Sequence, residues 1–440
     1  MDLGRKRIAG GTSPRRVTAV VHRRQFPRFY FNQKAVQKKM RTVRPEASPA
    51  SRASYFPPGG RCRCRCRAAP TPPAPAPGPG CRSLPAAPGG PGAVRLAVVG
   101  DVHDQWSAAD AAALGGLGAD VAVFVGDFGN ENLGLVERVG ALEHEKAVIL
   151  GNHDAWHTMY SRRRTRRGRV DEQLRALGDS HVGFAAKAWP EHCLSIVGAR
   201  PFSAGPKPWK AHGAFYKGRY GVAGYQQSGA RIADVARRQP DDHALVVLGH
   251  SGPAGLGEKA YDICGVDWQV PGGDHGDADL RAALNALHAE GRAVACCLFG
   301  HMHEALNGRT HPGKKRRMVA VDRRGVVYVN AAVVPRVVVD GARTRHNFTL
   351  VDLSGRDVAA VWEVWVAPAA EGGWEAVESN RWLKPGPSPG TVQVWDGFTG
   401  KFRTLRPDGP AEGKGPADDL TERPRPTLIK RRPAPQILEL

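Results

Sequence analysis

Between residues 94 and 300 the sequence alternates short apolar runs with stretches of helical periodicity. Five apolar runs have the length of a buried strand and end in glycine: RLAVVG, VAVFVG, KAVILG, ALVVLG and AVACCLFG. Helices are predicted between them, at Trp106–Leu117, Asn132–Leu142, Tyr225–Arg238 and Asp277–Ala289. Alternation of this kind is typical of α/β proteins.

After Met318 the pattern changes, because runs of strand length follow one another without helical stretches between them. These runs are MVAVD, GVVYVNAAVV, FTLVDL and AAVWEVWV. Strands that follow one another directly favour antiparallel pairing, whereas parallel strands need a longer crossover connection. We therefore predict an α/β fold of mixed α+β character, with mixed β-sheets rather than one purely parallel, doubly wound sheet.

Pro and Gly divide the chain into three regions. Residues 1–93 are predicted to be a disordered leader that ends in a Pro/Gly-rich linker from residue 69, which cannot pack into a core. Residues 94–368 are predicted to form the folded domain, and residues 369–440 a largely disordered tail. Within that tail the strand-like piece TVQVWDGF is the one segment expected to fold back on the domain.

The positive charge is concentrated in the leader. The chain has a net charge of +21, and residues 1–93 contain nineteen Lys and Arg against Asp2 and Glu46, so 17 of those charges lie there. Basic, acid-poor composition with Ser, Pro and Ala is typical of an organelle transit peptide, although translation from Met40 is an alternative. No apolar run approaches the length of about 20 residues that spans a bilayer, so no membrane segment is predicted.

Residues that commonly ligate metals follow each glycine-ended run at once. In α/β sheets, ligands bind beyond the carboxyl ends of the strands, so five such segments are expected to meet in one pocket. A single GD or GH motif is a weak signal, but five in order form a strong one. The residues concerned are Asp101, His103, Asp127, Asn152, His153, Asp154, His250, His301 and His303.

The spacing and the residue types indicate two metal ions. Asp101 and His103 are one residue apart, as are His301 and His303, and in extended chain that spacing places both side chains on one face. Carboxylate, amide and imidazole ligands without thiolate suit Mn, Fe or Zn rather than Cu(I). Seven or eight ligands exceed what one tetrahedral zinc takes, and they match two divalent ions that share a carboxylate.

The motif series GDVHD, GDFGN, GNHD, GH and GHMH resembles that of the calcineurin-like metallophosphoesterases, over about residues 94–366. The resemblance implies a four-layer α-β-β-α sandwich with two mixed sheets. It also implies that Asp127 bridges the two ions and that His153 faces the substrate. By motif, the first ion would be held by Asp101, His103 and His303, and the second by Asn152, His250 and His301.

Further segments resemble an uncharacterised group of these proteins from cyanobacteria and plant chloroplasts. They are GDVHDQW, FVGDFGNE, ILGNHDAW, GARPFS, GHSGPAGLG and GGDHGD. This resemblance and the transit-like leader together predict a chloroplast location. The motifs depart from those of calcineurin-type protein phosphatases, since Asp104 replaces a glycine and Asn130 stands where that family has an acid.

The predicted activity is metal-dependent hydrolysis of a phosphoester, as a phosphatase or a phosphodiesterase. A metal-bridging hydroxide would attack phosphorus while His153 assists the leaving oxygen. Asp154 would orient His153 or cap the following helix. The expected substrate is a phosphorylated small molecule or a nucleotide, and the sequence carries no signal for an oligomeric state. Two alternatives are a catalytically silent scaffold of the same fold and a nucleic-acid-binding protein that acts through the leader.

Three further features near these motifs each have two interpretations. The Arg-rich segment Ser161–Arg169 is either a solvated loop or a contact for anionic substrates. Asn330 either supports the site or belongs to an ordinary turn at a strand end. Arg200 either forms a surface ion pair or contacts the substrate phosphate.

Overall fold

A computed structural model describes residues 84–90, 92–160, 168–341 and 343–407. The basic leader up to residue 83, most of the Arg-rich segment and residues 408–440 lie outside the described residues. Predictions that fall on those segments therefore stay predictions.

Among the described residues, one sheet has nine strands and a mixed topology. Strands β1, β2 and β3 are parallel to one another, whereas β11 to β15 are antiparallel neighbours. The two groups meet where β11 pairs with β1. The strand order is β15-β14-β13-β12-β11-β1-β2-β3, and β10 pairs with the beginning of β11. The strands are β1 (Ala93–Val99), β2 (Val121–Phe124), β3 (Lys146–Val148), β10 (Val337–Asp340), β11 (Arg343–Ser354), β12 (Asp357–Pro368), β13 (Trp374–Pro385), β14 (Val392–Asp396) and β15 (Lys401–Leu405).

The second sheet has six strands within the described part of the chain, in the order β4-β5-β6-β7-β9-β8. Its four inner strands are parallel, and both edge strands are antiparallel to their neighbours. Each parallel pair requires a crossover, which explains the helical stretches before residue 300. The strands are β4 (Ala186–Trp189), β5 (Leu194–Gly198), β6 (Ala244–Leu248), β7 (Cys296–Phe299), β8 (Val319–Val321) and β9 (Val327–Asn330).

Helices cover the outer faces of both sheets. The described helices are α1 (Ala108–Gly115), α2 (Leu133–Gly140), α3 (Arg169–Leu177), α4 (Gly213–Tyr220), α5 (Tyr225–Arg237) and α6 (Ala278–Ala289). Helices α1 to α3 pack on the nine-stranded sheet, and α4 to α6 pack on the six-stranded sheet. A third core, which includes Val98 and Leu248, lies between the sheets. The predicted four-layer α-β-β-α sandwich with two mixed sheets is confirmed.

The predicted disordered tail is wrong for its first part. Strand β13 pairs with β12 over most of its length, and β14 and β15 extend the same sheet. The segment TVQVWDGF contains β14, so it does join the domain. The Pro and Gly residues of 385–390 belong to the turn between β13 and β14, and backbone pairing stabilises β13 although few of its side chains are buried.

No helix within the described ranges combines the length and the apolar character needed to cross a membrane.

Candidate metal centre

The loops that follow β1, β2, β3, β6 and β7 converge at one edge of the molecule. Backbone hydrogen bonds tie them together: the His103 amide donates to the Asp127 carbonyl over 2.8 Å, and the Gly300 amide donates to the His250 carbonyl over 2.9 Å. His103, Asp127 and His301 have φ values of 42°, 53° and 69°. Such angles are uncommon outside glycine and often mark a functional site, where the surroundings hold a strained backbone in place.

We call Asp101, His103 and His303 the outer half of the centre. Their potential ligand atoms all lie within 4.8 Å of one another. The two Nε2 atoms of the histidines are 3.1 Å apart, and the Nε2 atom of His303 is 3.3 Å from Oδ2 of Asp101. Asp101 is fully buried, whereas the His303 side chain is 37% exposed. The outer half therefore opens to solvent on its histidine side.

We call Asp127, Asn152, His250 and His301 the inner half. Ligand atoms of Asp127, His250 and His301 also lie within 4.8 Å of one another. The Nε2 atom of His250 is 3.2 Å from Oδ1 of Asp127 and 3.0 Å from Oδ1 of Asn152. The His250 side chain is fully buried, and its Nδ1 atom hydrogen bonds with the Val125 carbonyl over 2.8 Å. That bond orients the ring so that Nε2 faces the carboxylate.

Asp127 links the two halves. Asp127 is a member of the inner half, and it also forms a third group with His103, from the outer half, and with His153. The potential ligand atoms of this group again lie within 4.8 Å of one another. The structure thus brings together all seven residues predicted as metal ligands. Each half offers only oxygen and imidazole nitrogen, the donor set predicted from the sequence.

The charges of the centre fit divalent cations. Burial alone would raise the pKa of Asp101 and of Asp127, but hydrogen bonds and histidine charges hold both below the ordinary value. Burial opposes charge on His250 as well, yet Asp127 and Asp101 raise its pKa to about 10. Within the described residues, the ion-pair partners of both carboxylates are histidines rather than Lys or Arg. Buried carboxylates need a cation, and a metal ion can take the place of the imidazole protons.

A second cluster of buried carboxylates differs from the metal centre, because its acids pair with an arginine. Arg200 lies between Asp277 and Asp279, and it contacts each of them over 2.7 Å. The expected ion pair of Arg200 is therefore present, but it is buried rather than at the surface. The guanidinium supplies a cationic partner for both acids, which the carboxylates of the metal centre lack, and it ties the loop before α6 to Arg200.

Two glycines leave room for the carboxylates. A Cβ atom added at Gly151 would overlap Oδ1 of Asp127, and one added at Gly300 would overlap Oδ1 of Asp101. These are the glycines that end the third and fifth apolar runs. The lack of a side chain at both positions therefore permits the close approach of the carboxylates.

His153 lies at the open side of the centre, with its side chain 30% exposed. Its Nδ1 atom is 2.7 Å from Oδ1 of Asn130, and its Nε2 atom is 4.0 Å from Oδ2 of Asp127. The ring stacks on Trp156 with 4.8 Å between ring centroids. The amide of Asn130 therefore takes the position beside His153 at which the calcineurin-type phosphatases have an acid.

Asp154 takes neither of its two predicted roles. Its carboxyl oxygens accept hydrogen bonds from three backbone amides: Asp127 over 3.0 Å, Phe128 over 2.9 Å and Gly151 over 2.7 Å. These bonds hold the loops after β2 and β3 together beneath the centre. Asp154 is a positioning residue that contacts the backbone of its neighbours rather than the ring of His153. The sequence does not reveal this, because a residue pair 27 positions apart leaves no local pattern.

Asn330 supports the centre, as one of its two interpretations expected. It donates to the Met302 carbonyl over 2.6 Å and accepts from the Ala332 amide over 3.0 Å. Met302 lies between His301 and His303, so Asn330 holds the segment that carries both histidines.

His275 is a neighbour of the centre that lies outside the five motifs. Its ring stacks on His301 with 5.2 Å between ring centroids, and Trp268 contacts it edge-on at 5.1 Å. Burial lowers the pKa of His275 to about 4, so its ring is neutral at physiological pH. The only available signal was a histidine between polar and glycine residues in GGDHGD.

A cavity of about 330 Å³ adjoins the open side and is lined by Asp104, Asn130, Glu131, Asn132 and Arg169 among others. Asn132 donates to Asp104 over 2.7 Å across it. Its lining is polar, which suits a hydrophilic ligand. Arg169 is the one residue of the predicted Arg-rich loop at this cavity, since residues 161–167 lie outside the described part of the chain.

Comparisons with known proteins agree with the motifs. The family model of the calcineurin-like phosphoesterases matches residues 94–305. No curated protein sequence matches the chain.

Several solved structures are similar at low identity. A Haemophilus influenzae NAD nucleotidase is 11% identical with a TM-score of 0.31, and the match covers 71% of this chain and 53% of that one. A conserved protein from Streptococcus pneumoniae, described as a predicted phosphoesterase, is 9% identical with a TM-score of 0.24, over 66% and 98% of the two chains. A metallophosphoesterase from Sphaerobacter thermophilus is 13% identical with a TM-score of 0.27, over 65% and 88%. Structural similarities with TM-scores this low support no conclusion about this chain.

The family match spans β1 through the GHMH motif, and so it contains every residue of the two halves of the centre. The fold and the family match agree that this region is similar to the calcineurin-like phosphoesterases.

Proposed function

We propose that this protein is a hydrolase of phosphoesters that uses two divalent metal ions, Mn, Fe or Zn. The observation that carries the proposal is the convergence of six carboxylate and imidazole ligands into groups linked through His103 and Asp127, with Asn152 in contact with His250. Asp101, His103 and His303 would hold one ion, and Asn152, His250 and His301 the other. Two ions bound there would lower the pKa of a water and neutralise charge on the phosphoryl oxygens.

His153 would protonate the leaving oxygen. Asn130 accepts a hydrogen bond from Nδ1, so Nε2 is directed toward the centre. As the bond between phosphorus and the leaving oxygen breaks, the Nε2 proton would pass to that oxygen. Stacking on Trp156 restricts the ring to this orientation. Positioned acid catalysis of this kind contributes about 100-fold or more to turnover.

The proposed substrate is a phosphorylated small molecule or a nucleotide. The polar cavity beside His153 supports this, because carboxylate and carboxamide groups recognise hydroxyls of a leaving group. Either a monoester or a diester could bind there.

The test compares His153→Ala with the unchanged protein. The full chain is loaded with Mn, Fe or Zn and assayed on para-nitrophenyl phosphate and on its bis-ester. We expect turnover of the better substrate to fall at least about 100-fold in His153→Ala, while bound metal stays constant. His288→Ala, which removes an exposed histidine of α6, is the control and should match the unchanged protein.

Equal turnover in His153→Ala would remove this residue from the mechanism. If the chain binds metal yet hydrolyses neither ester, the scaffold alternative replaces the proposal. Nucleic-acid binding through the leader is tested by removing residues 1–93. A trimmed chain that binds RNA or DNA as well as the whole chain would show that the leader does not cause the binding.

We also propose that residues 1–93 direct the protein to chloroplasts. Their basic, acid-poor composition supports this. A fusion of residues 1–93 to a fluorescent protein should accumulate in plastids of plant cells. A fusion that stays in the cytosol would contradict the proposal.

A further inference from the structure

A second cavity lies away from the metal centre, between the two sheets at their edge. Its volume is about 120 Å³. The walls come from edge strand β8, helix α6, the loop after β6 and the last two strands, β14 and β15. None of the seven proposed metal ligands lines it. We call it the arginine cleft.

Five arginines line the arginine cleft. They are Arg281, Arg317, Arg323, Arg324 and Arg403, and the acidic residues of the lining are Asp262 and Asp322.

Only one of the arginines is neutralised. Arg317 pairs with Asp262 over 2.7 Å and with Asp396 over 2.9 Å. Within the described residues, the other four have no carboxylate within salt-bridge distance. Asp322 adds one negative charge to the lining but, among the described residues, forms no salt bridge with these four, since it accepts hydrogen bonds from the hydroxyl of Tyr328 and from two backbone amides of its own turn. The five arginines of the lining still exceed its two acids by three charges.

Arg281 is the arginine of the cleft whose position is fixed by hydrogen bonds. Its Nε atom donates to the Ala254 carbonyl over 2.6 Å, and its Nη1 atom donates to the Tyr328 hydroxyl over 3.1 Å. These two bonds fix the guanidinium plane. The Nη2 atom is buried, and among the described residues it has no hydrogen-bond acceptor. A buried donor without an acceptor is rare in proteins and requires a partner.

The rest of the lining is apolar. Leu256 and Ile263 contribute from the loop after β6, Val319 and Val321 from β8, and Val394 and Leu405 from the last strands. Like charges gathered in a concave, partly apolar site repel one another and raise the local concentration of anions. Guanidinium groups match the oxygen geometry of phosphate, and the apolar wall suits a hydrocarbon or aromatic body.

We propose that the arginine cleft binds a small organic phosphate, with its anionic group on Arg281, Arg323 and Arg403 and its apolar body against β8 and β14. The site is separate from the proposed catalysis and does not depend on it. Arg323 and Arg403 are exposed at the rim, where they can close on the anion. Arg281 supplies the fixed donor of the inner wall.

The test uses phenylphosphonate, which carries the anionic group on an aromatic body and has no ester bond to hydrolyse. The full chain is freed of metal on a chelating resin and titrated by calorimetry, so that the metal centre contributes no cation-dependent binding. The double variant Arg323→Ala/Arg403→Ala removes two arginines that make no ion pair in the described structure. The charge-matched control is Arg138→Ala/Arg238→Ala, which removes two exposed arginines of α2 and of the α5 end.

We expect saturable binding that weakens about tenfold or more in Arg323→Ala/Arg403→Ala, since each lost bond is charge-assisted. The control should bind as the unchanged chain does, within about twofold. Equal binding in the two double variants would overturn the proposal, because the basic leader would then account for it. Absence of saturable binding would overturn it as well. If inorganic phosphate bound as tightly as phenylphosphonate, the apolar lining would add nothing to binding. The proposal that the ligand has an apolar body would then be wrong.

Discussion

The inner and outer halves of the metal centre use the same kinds of ligand in different surroundings. His250 of the inner half is fully buried, whereas His303 of the outer half is 37% exposed. Neighbouring groups orient the inner ligands through hydrogen bonds. The Val125 carbonyl orients His250, and Asp154 fixes the backbone at Asp127 and Gly151. The outer histidines contact chiefly each other and Asp101.

This difference indicates that the inner half stabilises the fold in addition to holding a proposed ion. Removing an inner ligand leaves buried charge without a partner, which costs stability. Removing an outer histidine exposes a site that water can enter. The two proposed ions should therefore differ in retention, with the inner one held more tightly because its ligands are oriented in advance.

The largest effect is expected for Asp127→Asn, because Asp127 links the two halves. The change removes the charge that the two proposed ions share. We predict that bound metal falls and that hydrolysis of an aryl phosphate drops about a thousandfold, the upper range for loss of an electrostatic group at an active site. Metal analysis and steady-state kinetics measure both.

The matched control is Asp352→Asn, which removes a buried carboxylate that pairs with Arg95 over 2.7 Å. It should lower thermal stability without changing bound metal. Unchanged metal content in Asp127→Asn would show that the two halves do not share this residue.

The next effect separates the halves. Both His250→Ala and His303→Ala should lower turnover by about 100-fold, since each removes one ligand. Only His250→Ala should also lower the Tm of the metal-free protein, by about 5 °C, because Asp127 and Asp101 then lose their buried partner. Calorimetry of the two variants measures this. Equal Tm values would show that burial does not distinguish the halves.

The smallest effect is expected for Asn330→Ala. Asn330 touches no proposed ion but holds the Met302 carbonyl between His301 and His303. We predict about tenfold weaker metal binding, at the low end for groups that orient ligands, with kcat at saturating metal nearly unchanged. Metal titration of activity separates the two quantities. A lower kcat at saturating metal would place Asn330 in the chemistry itself.

Much of the centre could be predicted because its signals are local. A strand that ends in glycine and continues with Asp or His is visible in a few residues, and parallel strands bring such ends to one edge. The same holds for the strands themselves, whose apolar runs are short and continuous. The glycines at 151 and 300 were recognisable for the same reason.

The remaining features depend on contacts between distant residues. Asp154 supports the backbone at Asp127, and Arg200 pairs with Asp277 and Asp279, although no local pattern connects them. Strand β13 has few buried side chains and is stabilised by its pairing with β12. Composition alone predicts disorder there, because the Pro and Gly residues of the connecting turns dominate the composition of the segment.

Metal stoichiometry tests the central claim most directly. The full chain is equilibrated with Mn, Fe or Zn, dialysed and analysed for bound metal per chain. The account predicts about two ions per chain, one of which dissociates more readily under a weak chelator because the outer half is more exposed. A chain that binds no metal in stoichiometric amount, or that holds a single ion at every concentration, would contradict it.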